Sequence, residues 1–256
     1  MSLLASTSPW YATGKSIGLL FFYLLTGLFL DSFYFVEITE HAQWYANIVM
    51  FIVTGIVIYT VPARNKEQMI TAILIAIIGE YLFSIVMGMY TYRLENVPHY
   101  VPPGHALVYI AVLYFSKAAS IKKHRRELEI FFSIFIIIYA TVFLVAKNDV
   151  FGFVMTIATL TILKFKPRER LFYLTMYLTV AYLEIVGTNY LCWKWPSTAW
   201  GIFDFLPSFN PPSGISFFYF GLDLGCLWLY KQRHKVAWGR MKAIRKIKTE
   251  RLLSNS

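Results

Sequence analysis

Long apolar runs separated by short polar segments dominate the pattern of this chain. A bilayer core of ~30 Å requires about 20 apolar residues in an α-helix, and runs of roughly that length recur along most of the sequence. We predict eight transmembrane helices, with bounds of 16–35, 42–61, 69–92, 104–121, 130–146, 150–165, 171–195 and 214–230. The predicted fold is therefore all-α, a polytopic membrane helical bundle that forms one transmembrane domain over residues 1–234.

The basic residues between these runs predict the orientation of the helices. Short cytoplasmic loops accumulate Lys and Arg, whereas translocated loops do not. With eight helices and both termini cytoplasmic, all but three of the 24 basic residues fall on the inner side, the exceptions being Arg93, Lys147 and Lys194. We therefore predict a multi-pass protein of a bacterial-type inner membrane, with both termini in the cytoplasm.

Composition supports the membrane class. Hydrophobic residues make up 57% of the chain and charged residues only 15%, which excludes most soluble proteins and disordered chains. Much of the net charge of +10 lies in a basic cytoplasmic tail, residues 235–256. Its alternation of basic and apolar residues suits an interfacial helix on the anionic lipids of the inner leaflet. A solvated tail that only enforces topology explains it equally well, and we expect no nucleic-acid partner.

The same order of motifs occurs twice. Each half of the chain contains a glutamate, an aromatic-x-aromatic element and three prolines: Glu80, 90–92 and 98–103 in the first half, and Glu184, 193–195 and 207–212 in the second. Both copies run from inside to outside and back, so we predict two parallel four-helix repeats, residues 16–121 and 130–231. Substrate sites often lie between such halves, which predicts that Glu80 and Glu184 approach each other. A shared helix-hairpin packing motif is the alternative explanation of the prolines and aromatics.

Three acids, Glu80, Glu184 and Asp223, lie deep within predicted helices. An ionised carboxylate at that depth costs ~2.5 to 3.5 kcal/mol, and such residues usually face the bundle interior or an aqueous cavity. Lys and Arg are absent at matching depth, and burial without a cation favours the protonated acid. We predict acid/base roles for Glu80 and Glu184, and an orienting or second-acid role for Asp223. Interhelical hydrogen bonds that lock the bundle are the alternative.

Aromatic and polar residues near these acids form a second layer of candidate chemistry. We predict that eight of them bind the substrate: Tyr90, Tyr92, Arg93, His105, Trp193, Trp195, Asn210 and Tyr219. His99 and His105 are not part of a His-x-x-x-His or Cys-x-x-Cys pattern, so we expect no metal site. Walker, dinucleotide-binding and nucleophile-elbow motifs are also missing from the sequence, and the predicted chemistry requires no cofactor.

Two resemblances rest on these residues. Glu-x-x-Gly-Thr, Trp-x-Trp, Asn-Pro-Pro-Ser-Gly and Pro-Pro-Gly-His strings, at 184–188, 193–195, 210–214 and 102–105, resemble those of an uncharacterised family of polytopic membrane proteins. That resemblance implies no activity. A fainter similarity, carried by Glu80, Gly88, Tyr90, Tyr92 and Pro98, is to the carotenoid hydratases, and it would imply the hydration of an alkene.

Three functions remain open at this point. The first is an enzyme that acts on an isoprenoid or lipid substrate by proton transfer from a carboxylic acid, in a hydration, cyclisation or isomerisation, with aromatic rings stabilising a carbocation. The second is an accessory subunit of a larger membrane complex, with a protein partner in the membrane. The third is a proton-coupled transporter of lipids or small molecules. The sequence shows neither a mid-helix proline nor a clear helix break, which counts against the transporter.

Overall fold

The computed structural model describes residues 9–236, 238–240 and 243–244, and in these residues the chain is mostly helical. The α-helices are α1 (Pro9–Leu30), α2 (Phe33–Val36), α3 (Ala42–Thr60), α4 (Ala63–Glu80), α5 (Val101–Lys117), α6 (Ala119–Lys123), α7 (Arg125–Lys147), α8 (Val150–Lys164), α9 (Arg170–Asn189) and α10 (Ser216–Arg233). A π-helical segment, Tyr81–Val86, continues α4. Four short strands are β1 (Thr91–Tyr92), β2 (Trp193–Lys194), β3 (Thr198–Ala199) and β4 (Phe203–Pro207).

Several of these helices have the length and composition of membrane spans. Within the described residues, four helical stretches are long and apolar enough to cross a membrane: Ala42–Thr60, Ala63–Val86, Arg125–Lys147 and Arg170–Asn189. Ile17–Leu30 and Val150–Lys164 are apolar but shorter. Many large apolar side chains are exposed on the bundle surface, as expected for a helical bundle surrounded by lipid. These lengths and compositions confirm the prediction of a helical membrane protein.

Helix α5 lies at the centre of the bundle. From Pro102 to Val112 every side chain except that of His105 is buried, and α1, α3, α4 and α9 pack around it. Pro102 and Pro103 fit in its first turn because the N–H groups there have no intrahelical acceptor. Helix α10 packs against α4 and α9, and α7 packs against α8 and α9. Helices α4, α5, α9 and α10 thus surround the two glutamates.

Several predicted helix bounds are wrong, and the all-α prediction omits two small sheets. The helices predicted to begin at residues 16, 69 and 130 begin at Pro9, at Ala63 and at Arg125. The helices predicted to end at residues 35, 92 and 195 end instead at Leu30, at Val86 and at Asn189. The two aromatic-x-aromatic elements beyond the later ends form β1 and β2, which pair antiparallel, and β3 pairs with β4. Side chains alternate between the two faces of a strand. Aromatic residues two positions apart are therefore typical of a strand with one buried face.

A change to π-helical geometry, which the sequence does not reveal, follows Glu80 directly and leads into a turn. After the π-helical segment, the Met87 N–H donates to the Leu82 carbonyl at 2.8 Å, and the Ser84 hydroxyl donates to the Tyr90 carbonyl at 3.1 Å. Gly88 has a φ of 58°, a left-handed conformation that glycine adopts without steric cost. This turn brings the chain back so that β1 lies beside the end of α4.

Candidate functional site

A cavity of about 260 Å³ lies between α4, α10 and the β1–β2 sheet. Its lining is mostly apolar, and it includes eight of the residues predicted from the sequence: Glu80, Tyr90, Tyr92, His105, Glu184, Trp193, Trp195 and Tyr219. Ile78 and Leu82 also line the cavity, and 67% and 43% of their surfaces are exposed on the outside of the bundle. The cavity is therefore bordered by the apolar outer surface of the protein.

The carboxylate of Glu80 receives hydrogen bonds on both oxygens. The hydroxyls of Tyr90 and Tyr92 donate to Oε2 at 2.5 and 2.6 Å, and His105 Nε2 lies 2.7 Å from Oε1. Burial, together with the negative charge of Glu80, raises the pKa of both phenols well above the ordinary value, so they keep the protons that they donate. An ionised carboxylate is purely an acceptor, so these neighbours suit the charged form of Glu80. His105, expected only to bind substrate, is its basic partner.

Glu184 on α9 is also buried, but its neighbours differ. The indole N–H groups of Trp193 and Trp195 donate to Oε2 at 2.8 and 3.0 Å, and the Tyr219 hydroxyl lies 3.3 Å from Oε1. An indole N–H can only donate, so Oε2 is an acceptor in either protonation state of Glu184. Oε1 is therefore the oxygen that can carry a proton.

The β1–β2 sheet brings both sets of aromatic side chains to one face. Tyr92 lies opposite Trp193, and directly opposed residues of an antiparallel pair share a face. Their ring centroids are 6.0 Å apart, and those of Tyr90 and Trp195 are 4.6 Å apart. Thr91, the residue between the two tyrosines, is exposed. One small sheet thus supplies hydrogen-bond donors to both carboxylates.

Two close contacts hold the partners of the glutamates in place. The His105 ring stacks on Tyr219 with centroids 4.8 Å apart, so the partner of Glu80 touches a partner of Glu184. Gly187, one turn after Glu184, lies against the Trp193 indole, and a Cβ atom at this position would overlap the ring. Gly187 is therefore required for Trp193 to reach Glu184.

The other three predicted residues do not line the cavity or are not described there. The Arg93 guanidinium forms an ion pair with Asp31 at 2.5 Å. The Asn210 side-chain oxygen accepts a hydrogen bond from the Trp195 backbone N–H at 3.0 Å. Both therefore support the β1–β2 sheet from outside the cavity. The side chain of Asp223 lies outside the described part of the chain, and its predicted role as an orienting or second acid stays a prediction.

Two acids that the sequence analysis missed, Asp31 and Asp149, are fully buried. Asp31 follows α1 and accepts a hydrogen bond at 3.0 Å from the hydroxyl of Tyr100, in the proline-rich loop of the first half. Asp149 caps the N-terminus of α8 and accepts backbone N–H bonds from Phe209 and Ser213, in the corresponding loop of the second half, at 3.1 and 2.7 Å. The signal was an acid beside a turn at the end of an apolar run, which is typical of a capping residue.

Metal binding has no support in the described residues, where no group of three or more His, Cys, Asp or Glu side chains could hold an ion. The site is thus defined by two carboxyl groups, one imidazole and a set of aromatic rings. Comparison with known proteins adds no identification, since no family model, curated protein or solved structure matches this chain.

Proposed function

We propose that the protein is an integral membrane enzyme that transfers a proton between a buried carboxylic acid and an apolar isoprenoid or lipid substrate. One observation carries the proposal: two glutamates with different hydrogen-bond partners line a single apolar cavity. Pairs of titratable groups in contrasting environments are typical of acid/base catalysis. Glu184 is the acid, and Glu80 together with His105 is the base.

The acid step follows from the hydrogen bonds of Glu184. The proton on Oε1 is transferred to one carbon of a substrate double bond, whose π electrons form the new C–H bond, and the other carbon becomes a carbocation. The two indole N–H groups on Oε2 stabilise the carboxylate that remains. The ring faces of Tyr90 and Trp195 stabilise the cation by cation–π attraction.

The base step removes a proton from the cation or from the nucleophile that attacks it. In a hydration, a water oxygen bonds to the cationic carbon and its proton passes to the pair formed by Glu80 and His105, 2.7 Å apart. Loss of a proton from a neighbouring carbon instead gives an isomerised alkene. Attack by a second double bond closes a ring and leaves a new carbocation, which loses a neighbouring proton to the same base to give a cyclic alkene. The faint similarity to carotenoid hydratases at Glu80, Tyr90 and Tyr92 agrees with the first outcome.

The substrate enters from the bilayer between α4 and α10. Ile78 and Leu82 on one side of this gap and Gly221 on the other are exposed on the bundle surface and also line the cavity. An apolar molecule dissolved in the membrane therefore reaches the glutamates without crossing water. This route favours a hydrocarbon over a charged metabolite as the substrate.

The proposal includes a topology of eight spans in two parallel repeats, in a bacterial-type inner membrane with both termini cytoplasmic. The hydrogen bonds support the repeat: Glu80 and Glu184 each bind the aromatic pair of their own half, and Asp31 and Asp149 each bind a proline-rich loop. We further propose that the basic tail binds anionic lipids of the inner leaflet; residues 237, 241–242 and 245–256 of it lie outside the described residues.

The test is incorporation of deuterium into a hydrocarbon. The purified protein in lipid nanodiscs is incubated in ²H2O with squalene, a linear polyisoprenoid alkene, and the lipid is analysed by mass spectrometry. We expect deuterated or hydrated product, and a loss of about 100-fold or more in Glu184→Gln and Glu80→Gln, the usual contribution of general acid–base catalysis. Glu127→Gln, at an exposed position, controls for loss of a carboxylate. Equal product from Glu184→Gln and wild type would falsify the proposal.

A proton-coupled lipid transporter is the second candidate, because α4 changes from α-helical to π-helical geometry directly after the buried Glu80, and π-helical turns are frequent at functional sites. Uptake of a lipid into proteoliposomes that depends on a proton gradient would favour it over the enzyme. An accessory subunit would instead purify in mild detergent with a stoichiometric protein partner.

A further inference from the structure

A second, smaller cavity of about 60 Å³ is lined by Glu184 and by His105, the partner of Glu80. Leu24 and Leu28 of α1, Met50 of α3 and Val108 of α5 form its apolar end. These four side chains are between 1% and 6% exposed. This end of the small cavity is thus formed by side chains that are buried in the bundle, whereas Ile78 and Leu82 of the large cavity are exposed on the outside.

The two cavities are adjacent. Five residues line both of them: Val101, His105, Glu184, Trp193 and Tyr219. These shared residues include the proposed acid Glu184 and the imidazole partner of Glu80. The Tyr219 hydroxyl makes the longest hydrogen bond to Glu184, 3.3 Å against 2.8 and 3.0 Å from the indoles, so Tyr219 is the most weakly held of the Glu184 partners.

We propose that both cavities bind one linear hydrocarbon chain, which passes the carboxylates with a long arm in the large cavity and a short arm in the small one. This inference rests on the proposed function and names its substrate class. A cavity needs at least about 10–15 Å³ to hold one group of the size of a water molecule. By this measure the small cavity holds at most about four to six chain carbons and the large one about twenty. A compact fused-ring lipid cannot occupy both arms at once.

The shapes of the cavities give each one a separate role. The large cavity, bordered by the exposed Ile78 and Leu82, admits the chain from the bilayer, and the buried side chains of Leu24 and Met50 stop its leading end. The stop fixes which carbon of the chain lies beside Glu184. The length of the small cavity therefore determines how far from the end of the chain the proton is transferred.

Photo-crosslinking tests the inference without requiring turnover. The probe is a linear hydrocarbon of about twenty carbons, the number that the large cavity alone would hold, with a diazirine at one end. The probe is added to the protein in nanodiscs and the sample is irradiated. The labelled residues are then mapped by mass spectrometry. We expect labels at Met50 or Leu28, which lipid-dissolved probe cannot reach, and at Phe83 in the large cavity. Phe22, 61% exposed, reports the background from the bilayer.

A matched pair of substitutions on α1 completes the test. Leu24→Phe fills the small cavity, and we expect the Met50 label to fall about tenfold relative to Phe22, since added bulk in a closed space is costly, while the Phe83 label stays. Leu19→Phe, the same change at a position 53% exposed, should leave all labels unchanged. If Leu24→Phe does not fold, Leu28→Phe replaces it.

The outcomes separate this inference from the proposed function. Label at Phe83 but not in the small cavity of the wild type, or an unchanged Met50 label in Leu24→Phe, overturns the single-chain inference and leaves the proposed enzyme intact. Label in neither cavity overturns both, because an enzyme for apolar substrates must admit the probe. Label in both cavities that is lost from the small one in Leu24→Phe supports the inference.

Discussion

At the residue scale, the two glutamates differ in what their neighbours can donate and accept. Phenols and an imidazole surround Glu80, and these groups can both donate and accept hydrogen bonds, whereas the indoles on Glu184 can only donate. Glu184 therefore has no titratable partner on Oε2, and a proton that leaves it must pass through Oε1. The same residue type is thereby directed to two roles by its contacts.

Gly187→Ala tests the geometry at Glu184. The new methyl group would overlap the Trp193 indole, so the ring must move and Glu184 loses one donor. We expect a stability loss of about 1–3 kcal/mol, the usual cost of overpacking, and a weaker near-ultraviolet circular dichroism signal from tryptophan. Deuterium incorporation into the hydrocarbon should also fall in this variant. Gly18→Ala, where a Cβ meets no atom within 4 Å, is the control, and equal behaviour of the two variants would contradict the role of Gly187.

At the element scale, apolar runs located most helices but not the ends that form the site. The run before Tyr90 looks continuous in sequence, because nothing in the letters of residues 81–86 distinguishes a π-helical turn from an α-helical one. The spacing of Tyr90 and Tyr92 did carry a strand signal. Hydropathy hides this signal, because both residues follow a long apolar run and the predicted helix extends over them.

The sequence also does not predict which remote loop contacts which helix end. A buried aspartate next to a turn predicts a local cap, and Asp149 does cap α8. Its bonds to Phe209 and Ser213, however, depend on how α8 and α10 pack, which no local pattern encodes. The candidate acids could be identified from depth alone, whereas the groups that distinguish them could not.

Asp149→Ala tests how much Asp149 stabilises the N-terminus of α8 and the loop that contains Phe209 and Ser213. The change leaves the backbone N–H groups of Gly152, Phe209 and Ser213 without their acceptor in a buried position. Each unsatisfied group costs about 1–3 kcal/mol, so we expect the free energy of unfolding in detergent to fall by about 3 kcal/mol or more. Asp204→Ala, at an exposed site on β4, should change it by less than about 0.5 kcal/mol. A loss as small as that of the control would show that Asp149 is dispensable.

At the scale of the whole molecule, the proposed topology places the carboxylates nearer the outer surface. Glu80 lies at the end of α4 that leads to β1, and Arg64 lies at the opposite, inner end of the same helix. Positive charge at the inner side opposes reorientation of the bundle. The acid site and the basic surface are therefore on opposite sides of the proposed membrane core.

Single cysteines at exposed positions test this orientation in intact cells. Cys192 and Cys226 are buried, so the background of labelling should be low. A membrane-impermeant thiol reagent should label Glu40→Cys and Asp204→Cys from outside. Lys123→Cys and Lys166→Cys should react only after the membrane is permeabilised. Any exchange between the two groups would contradict a topology with both termini inside.

The pairing of β1 with β2 has a consequence for the whole site. Side chains in a strand alternate between faces, so a slip of one strand by one residue would turn its aromatic pair to the face opposite the other pair. Glu80 would then lose its phenol donors, or Glu184 its indole donors. Two motifs about a hundred residues apart in sequence thus depend on one register, and only in that register do the acid and the base both keep their donors.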